Sequence, residues 1–204
     1  MADKFIFVKD IFQSFDYQQF VFFIFMQKSL ETYQFKPYET IASIGASSGV
    51  WEIWFASQVD NLTFYLQDID PLNCNQEEID YGVKYYEKLL NKEIIGKFIP
   101  IIGNHHQTNL PINTFDKILI INSLHELLFI NDILQNVKKC LKPSGKLFIE
   151  EQIAEISGEI HEGCGKRLFT QEELIDCLGK NGFTLKEIIN KGDKSFIFEF
   201  NIVL

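Results

Sequence analysis

The chain has 204 residues, 46% of them hydrophobic and 14% aromatic, with 20 Phe and a formal net charge of −9. That is ample material for one well-cored domain and too apolar for a disordered chain. The acidic balance argues against a nonspecific phosphate-binding surface, which needs clustered Lys and Arg, so no nucleic-acid partner is expected.

The N-terminus lacks the basic region, apolar core and small-residue cleavage site of a secretory signal. Residues 20–26 are intensely apolar, but a membrane span needs roughly 20 such residues. No membrane association is expected, and the reading is a soluble cytoplasmic protein. Cys74, Cys140, Cys164 and Cys177 are dispersed without a C-x-x-C pair. They read as free thiols rather than disulfides or zinc ligands.

In chain order, residues 5–33 read as helical in two pieces, with Phe12, Phe15, Phe22, Met26, Leu30 and Tyr33 near one face. Such a segment can brace the core, close over an apolar ligand as a lid, or do both. Pro37 marks the boundary that follows. The expected organisation is an N-terminal helical extension or lid over residues 1–38 and a main domain over residues 39–204.

Residues 40–44 form a short β-branched strand, followed by the small-residue loop Gly45-Ala46-Ser47-Ser48-Gly49 and an amphipathic stretch from 50 to 57. Strand, tight loop and helix bring backbone close to a ligand and offer it unpaired helix N–H groups. A second strand, residues 62–66, ends in Gln67-Asp68-Ile69-Asp70-Pro71. An acidic residue there, about 20 residues past a glycine loop, is where nucleoside-binding folds accept ribose hydroxyls. Ile79, Val83, Tyr86, Leu89 and Leu90 then mark the inner face of a helix.

Residues 98–102 are a third strand, placed at a sheet edge by Pro100, and lead into Gly103-Asn104-His105-His106. A fourth, almost wholly apolar strand ends near Ile121. Asn122-Ser123-Leu124-His125-Glu126 then opens a helix with Leu128, Ile133, Val137 and Cys140 inward. Residues 141–145 read as a turn, 146–150 as a fifth strand, and 151–167 as a loop with room for a short helix. Thr170 and Glu173 form a capping box on the next helix, which Asn181-Gly182-Phe183 stops. Residues 184–189 and 195–203 are two strands joined by a hairpin at Asn190-Lys191-Gly192-Asp193.

Five strands alternating with helices, then a helix and hairpin, argue for an α/β sandwich with a largely parallel sheet. Ligands on such sheets bind beyond the carboxyl ends of the strands. There the loop at 45–49, Asp68, Asn104 and Asn122 should converge on one rim.

Those residues resemble the class I S-adenosylmethionine-dependent methyltransferase family, over about residues 39–204. Gly45-Ala46-Ser47-Ser48-Gly49 stands where that family has Gly-x-Gly-x-Gly, with Ser47 for the middle Gly and Ser43 for a usual acidic residue. Gly103-Asn104, Leu124-His125-Glu126-Leu127, Leu141-Lys142-Pro143-Ser144-Gly145 and Asn181-Gly182-Phe183 resemble later family landmarks.

The resemblance implies a Rossmann-like three-layer sandwich with strand order 3-2-1-4-5-7-6, strand seven antiparallel, and S-adenosyl-L-methionine as cofactor. It implies cofactor contacts from Gly45, Ala46, Ser47, Gly49, Asp68, Ile69, Asn104, His105 and Asn122. The implied reaction is in-line methyl transfer, with His125 the best-placed base and no metal. A small-molecule acceptor is expected from the acidic balance and the Phe-rich N-terminal segment. Glu150, Glu151, His161, Glu162 and Cys164 form either an acidic acceptor rim or a solvated face. Ser43 and Ser47 leave a second reading open, a non-catalytic binding or partner subunit.

Overall fold

Parallel strands covered on both faces need continuous apolar runs, and the chain supplies four in succession. The computed structural model describes residues 17–203, with side chains from residue 24. Helix α1 (Tyr17–Tyr33) leads into β1 (Thr40–Ile44), α2 (Val50–Gln58), β2 (Leu62–Asp68), α3 (Gln76–Leu90) and β3 (Gly96–Ile102). Strand β4 (Phe115–Ile121), a 3-10 turn at Leu124–Glu126, α4 (Ile130–Cys140) and β5 (Leu141–Gln152) follow. Helix α5 (Gln171–Lys180) and the hairpin of β6 (Phe183–Gly192) and β7 (Ser195–Ile202) close the chain.

Among the described residues the strands form a seven-stranded sheet of order β3-β2-β1-β4-β5-β7-β6. Strands β1 to β5 pair in parallel, and β7 runs antiparallel between β5 and β6. The expected order is therefore the observed one. Pro100 lies on edge strand β3, where its missing N–H leaves no ladder bond unmade.

Each face of the sheet has its own core. Met26, Tyr33, Phe35, Ile53, Phe55, Phe64 and Ile79 pack on one side, and Leu110, Phe115, Ile133, Leu134, Val137, Leu174 and Leu178 on the other. The Thr170–Glu173 capping box forms with both of its hydrogen bonds. Among the described residues no helix is long and apolar enough to cross a membrane.

Several local expectations are corrected. Residues 141–145 belong to β5, where a register shift opposite Phe115 and Lys117 absorbs the irregularity. Leu128 is 59% exposed, because the 3-10 turn delays α4 until Ile130 and changes the phase of the inward face. Residues 151–167 hold no helix: Glu151 and Gln152 end β5, and an isolated bridge joins Ile160 and Arg167. The hairpin turn is Asp193-Lys194, both with positive φ (47° and 62°), as a two-residue turn between twisted strands requires. Lys191 is therefore a strand residue and buried. Residues 5–16 of the expected helical segment lie outside the described residues, as do the side chains of Phe20, Phe22 and Phe23.

The described half of α1 is a brace. Glu150, fully buried on β5, accepts hydrogen bonds from Tyr33 Oη (2.6 Å) and Ser29 Oγ (2.8 Å) and pairs with Lys191. The Lys191 ammonium also sits 3.4 Å from the ring centroid of Phe25. Burial pulls the Lys191 pKa down and pushes the Tyr33 phenol well up, so this cluster holds together only with every donor paired.

Candidate functional site

At the carboxyl end of β1 the chain turns on two left-handed glycines, Gly45 (φ 72°) and Gly49 (φ 76°). A Cβ on Gly45 would stand 2.6 Å from Ser123, and one on Gly49 would stand 2.5 Å from Leu66. Both positions are therefore closed to side chains by strain and by space. Ser47 takes the same left-handed conformation (φ 49°) and stays exposed. The loop thus keeps the left-handed shape a glycine would give it at this position.

Behind this loop lies a cavity of about 240 Å³ lined by Ser43, Gly45, Ala46, Ser47, Ser48, Val50, Trp51, Glu52 and Ile121. Cofactor pockets commonly run to about 300–1,000 Å³, so this one suits part of a larger ligand lying along the rim. A larger depression of about 620 Å³ at the end of α3 has a lining of Lys84, Glu87, Lys88, Asn91, Lys92 and Glu93. It lies at the opposite end of the sheet, among solvated charges, and carries no chemistry.

Glu52 is the site residue that sequence reading misses. It occupies the first turn of α2, is 2% exposed, and its Oε2 has no hydrogen-bond partner among the described residues. Burial pushes its pKa up to about 7, against a hydrogen bond from Ser43 that holds it down. An orphaned carboxyl at a cavity wall is a place for a cation or a donor. One signal was available: Glu52 is the only charged residue between Val50 and Phe55.

Asp68 ends β2 beside the loop. Its Oδ2 accepts from Ser47 N (2.9 Å) and its Oδ1 from Ile69 N (2.7 Å) and Asp70 N (3.0 Å). These bonds hold the carboxylate at the rim next to the small-residue turn. Ile69 itself is exposed. After β3, Asn104 Oδ1 accepts from His106 N (2.8 Å) and Gln107 N (2.9 Å). That oxygen closes the loop, leaving the amide NH₂ as the group Asn104 can offer a ligand. His105 is exposed, while His106 stacks on Phe129 and contacts Asp132 (2.6 Å).

After β4, Asn122 (φ 49°) is exposed, with its backbone N–H on Glu150 O at 2.7 Å. His125 follows in the 3-10 turn. Its Nδ1 lies 2.8 Å from Glu151 Oε2, and Glu151 Oε1 accepts from Leu124 N (2.7 Å). The hydrogen bond to Glu151 raises the His125 pKa, with burial opposing it. Nε2 is left to face Cys164 Sγ, 3.3 Å away.

The expected rim of carboxylates is thus divided. Glu150 and Glu151 are buried at 0% and 1%. They are neighbours on one strand and so face opposite sides of the sheet. Glu150 holds α1 and Glu151 holds the His125 turn.

This geometry defines a Rossmann-like α/β fold with a candidate ligand site on the β1–β4 rim. A family model described as a methyltransferase domain matches residues 44–149, just over half of the chain. The structure is similar to an S-adenosylmethionine-dependent methyltransferase from Aquifex aeolicus, at 18% identity, TM-score 0.67, and 88% and 89% coverage of the two chains. It is similar to one from Methanosarcina mazei at 16% identity, TM-score 0.63, and 83% and 95% coverage. It is also similar to the mitomycin 7-O-methyltransferase MmcR, at 17% identity and TM-score 0.63. That match covers 81% of this chain but only 49% of the longer protein. No curated protein matches by sequence.

The chain belongs to the class I S-adenosylmethionine-dependent methyltransferase family. It is a methyltransferase, and its cofactor is S-adenosylmethionine.

Proposed function

We propose that the cavity behind the 45–49 loop takes the methionine end of S-adenosylmethionine, with Glu52 as the carboxylate that receives its α-ammonium. The observation that carries this is the orphaned, buried Oε2 of Glu52 beside Ser43, the position where the family usually has an acidic residue. The carboxylate has moved from the strand to the first helical turn, and serine at 43 hydrogen-bonds to it. Backbone of Gly45, Ala46, Ser47 and Gly49 walls the methionine end. Asp68 receives the ribose hydroxyls, and Ile69, Asn104 and His105 border the base along the open rim. Asn122 lies on the same rim beyond β4. When bound, the cofactor supplies an electrophilic methyl group.

The acceptor in this reading is a small molecule approaching from the β4–β5 side. Support comes from the net charge of −9, which disfavours a polyanionic partner. His125, held by Glu151, faces that side and accepts the proton of the acceptor. Residues 1–38 form an extension whose last turns brace the sheet, and residues 39–204 form the catalytic domain. Four free thiols suit a reducing, cytoplasmic setting. Calorimetry with S-adenosylhomocysteine tests the cofactor site. Micromolar binding that Asp68→Ala and Glu52→Gln each weaken is expected, and no heat at millimolar ligand refutes the reading.

A further inference from the structure

Outside the cofactor cavity, the loops after β4 and β5 bring three ligand-forming side chains together. His125 Nε2, His161 Nδ1 and Cys164 Sγ belong to a group whose ligand atoms all lie within 4.8 Å of one another. Cys164 Sγ is 3.3 Å from His125 Nε2 and 3.2 Å from His161 Nδ1. In a tetrahedral zinc site with bonds of about 2.3 Å to sulfur and 2.05 Å to nitrogen, the S···N edge is about 3.5 Å. The observed edges are within a few tenths of an ångström of that.

His125 Nδ1 faces the Glu151 carboxylate, which places the proton there and leaves Nε2 with a bare lone pair. His161 Nδ1 accepts the Cys164 backbone N–H at 3.3 Å, so it is the unprotonated ring nitrogen on that side. Two nitrogens and one sulfur are therefore grouped through the thiol proton and the Cys164 backbone N–H, hydrogen bonds that a bound cation would replace. A cation accepts all three.

The surroundings are those of a built site. Glu151 behind His125 fixes ring orientation and tautomer, the arrangement that supports metal-bound histidine in carboxylate–histidine–metal triads. His161 and Cys164 are three apart in a tight turn closed by Gly165 N on His161 O (2.9 Å) and His161 N on Lys166 O (2.8 Å). The left-handed Gly165 (φ 69°) makes that turn possible. Glu126 Oε1, 3.9 Å from His125 Nε2, adds negative charge nearby.

We propose that His125, His161 and Cys164 bind one divalent, thiophilic cation, zinc above all. Two imidazoles and a thiolate favour zinc over magnesium or calcium. Three protein ligands leave a fourth position for water or a donor atom of a bound molecule, as catalytic zinc sites do. The site stands on the rim beyond β4 and β5, so with metal bound His125 serves as a ligand rather than as a free base.

The test uses the full chain, stripped with a chelator and titrated with Co²⁺ and Zn²⁺. One equivalent of cobalt should give a sulfur-to-metal charge-transfer band with tetrahedral d–d intensity, which zinc displaces. Cys164→Ser should abolish that band, and His161→Ala should abolish stoichiometric binding. Both variants lie in a surface loop and should unfold like the parent chain. Glu151→Gln should weaken zinc about 10–100-fold with the ligand set unchanged. His106→Ala, at the other histidine pair, should change nothing. No charge-transfer band at one equivalent overturns the proposal, as does equal metal binding by the parent, Cys164→Ser and His161→Ala. S-adenosylhomocysteine calorimetry on the same stripped samples reports separately on the cofactor site.

Discussion

Replacing Glu52 with Gln should separate stability from cofactor binding in opposite directions. The carboxyl titrates near 4.5 when unperturbed and near 7 in the folded chain, chiefly because it is buried. At about 1.4 kcal/mol per pH unit, that difference is worth about 3 kcal/mol. Between those pH values the folded state holds the extra proton. Glu52 therefore costs nothing below about pH 4.5, and stability falls as pH rises toward 7, where the folded carboxyl ionises.

Glutamine cannot ionise, so Glu52→Gln should remove this slope and leave the free protein more stable than wild type at pH 8. Binding should respond the other way. Truncating one partner of a buried charge pair costs about 2–5 kcal/mol, so affinity for S-adenosylhomocysteine should fall by roughly 30-fold or more. Urea unfolding at pH 5 and pH 8 measures the first effect and calorimetry at pH 8 the second. Wild-type binding at pH 6 should also release close to one proton, seen by comparing buffers of different ionisation enthalpy. A variant that binds as well as wild type, with an unchanged pH profile of stability, refutes the reasoning.

Lys191→Met should destabilise the chain by about 3–5 kcal/mol, because it leaves the Glu150 carboxylate buried without its cation; a shift in urea midpoint at constant slope checks it. Asp68→Ala should weaken S-adenosylhomocysteine by about 1–3 kcal/mol in calorimetry, through the polar groups left unpaired. Ser47→Gly should relieve a left-handed serine and raise stability by about 1 kcal/mol with no loss of affinity. If it weakens binding, the serine side chain contacts the cofactor. Thr170→Ala removes the cap of α5 and should cost about 1 kcal/mol in thermal unfolding.

The largely parallel α/β sheet and the edge place of β3 were legible because apolar runs, the glycine loop and Pro100 each impose a backbone requirement, while the strand order came from the family resemblance. The rim residues at 45–49 and 68 were legible for the same reason, since strand ends are fixed by pattern. What stayed hidden depends on direction rather than position. Glu150 and Glu151 look alike in sequence, yet the alternation of β5 sends one under α1 and the other to the His125 turn. Lys191 read as a turn residue because its partners, Ser29 and Glu150, lie 162 and 41 positions away. Glu52 was concealed by an amphipathic pattern that assigns a lone carboxylate to solvent. The cluster of His125, His161 and Cys164 joins two loops whose approach is set by the packing of β4 on β5, which no local spacing encodes.

In the proposed cofactor site, Glu52 stands in for the missing acidic residue of the strand-one motif. A crystal structure with S-adenosylhomocysteine bound tests it most directly. The α-ammonium should lie within hydrogen-bond distance of a Glu52 carboxylate oxygen, and a ribose hydroxyl on Asp68. A ligand seated on the same rim with its amino group turned away from Glu52, or a nucleoside that avoids Asp68, contradicts it.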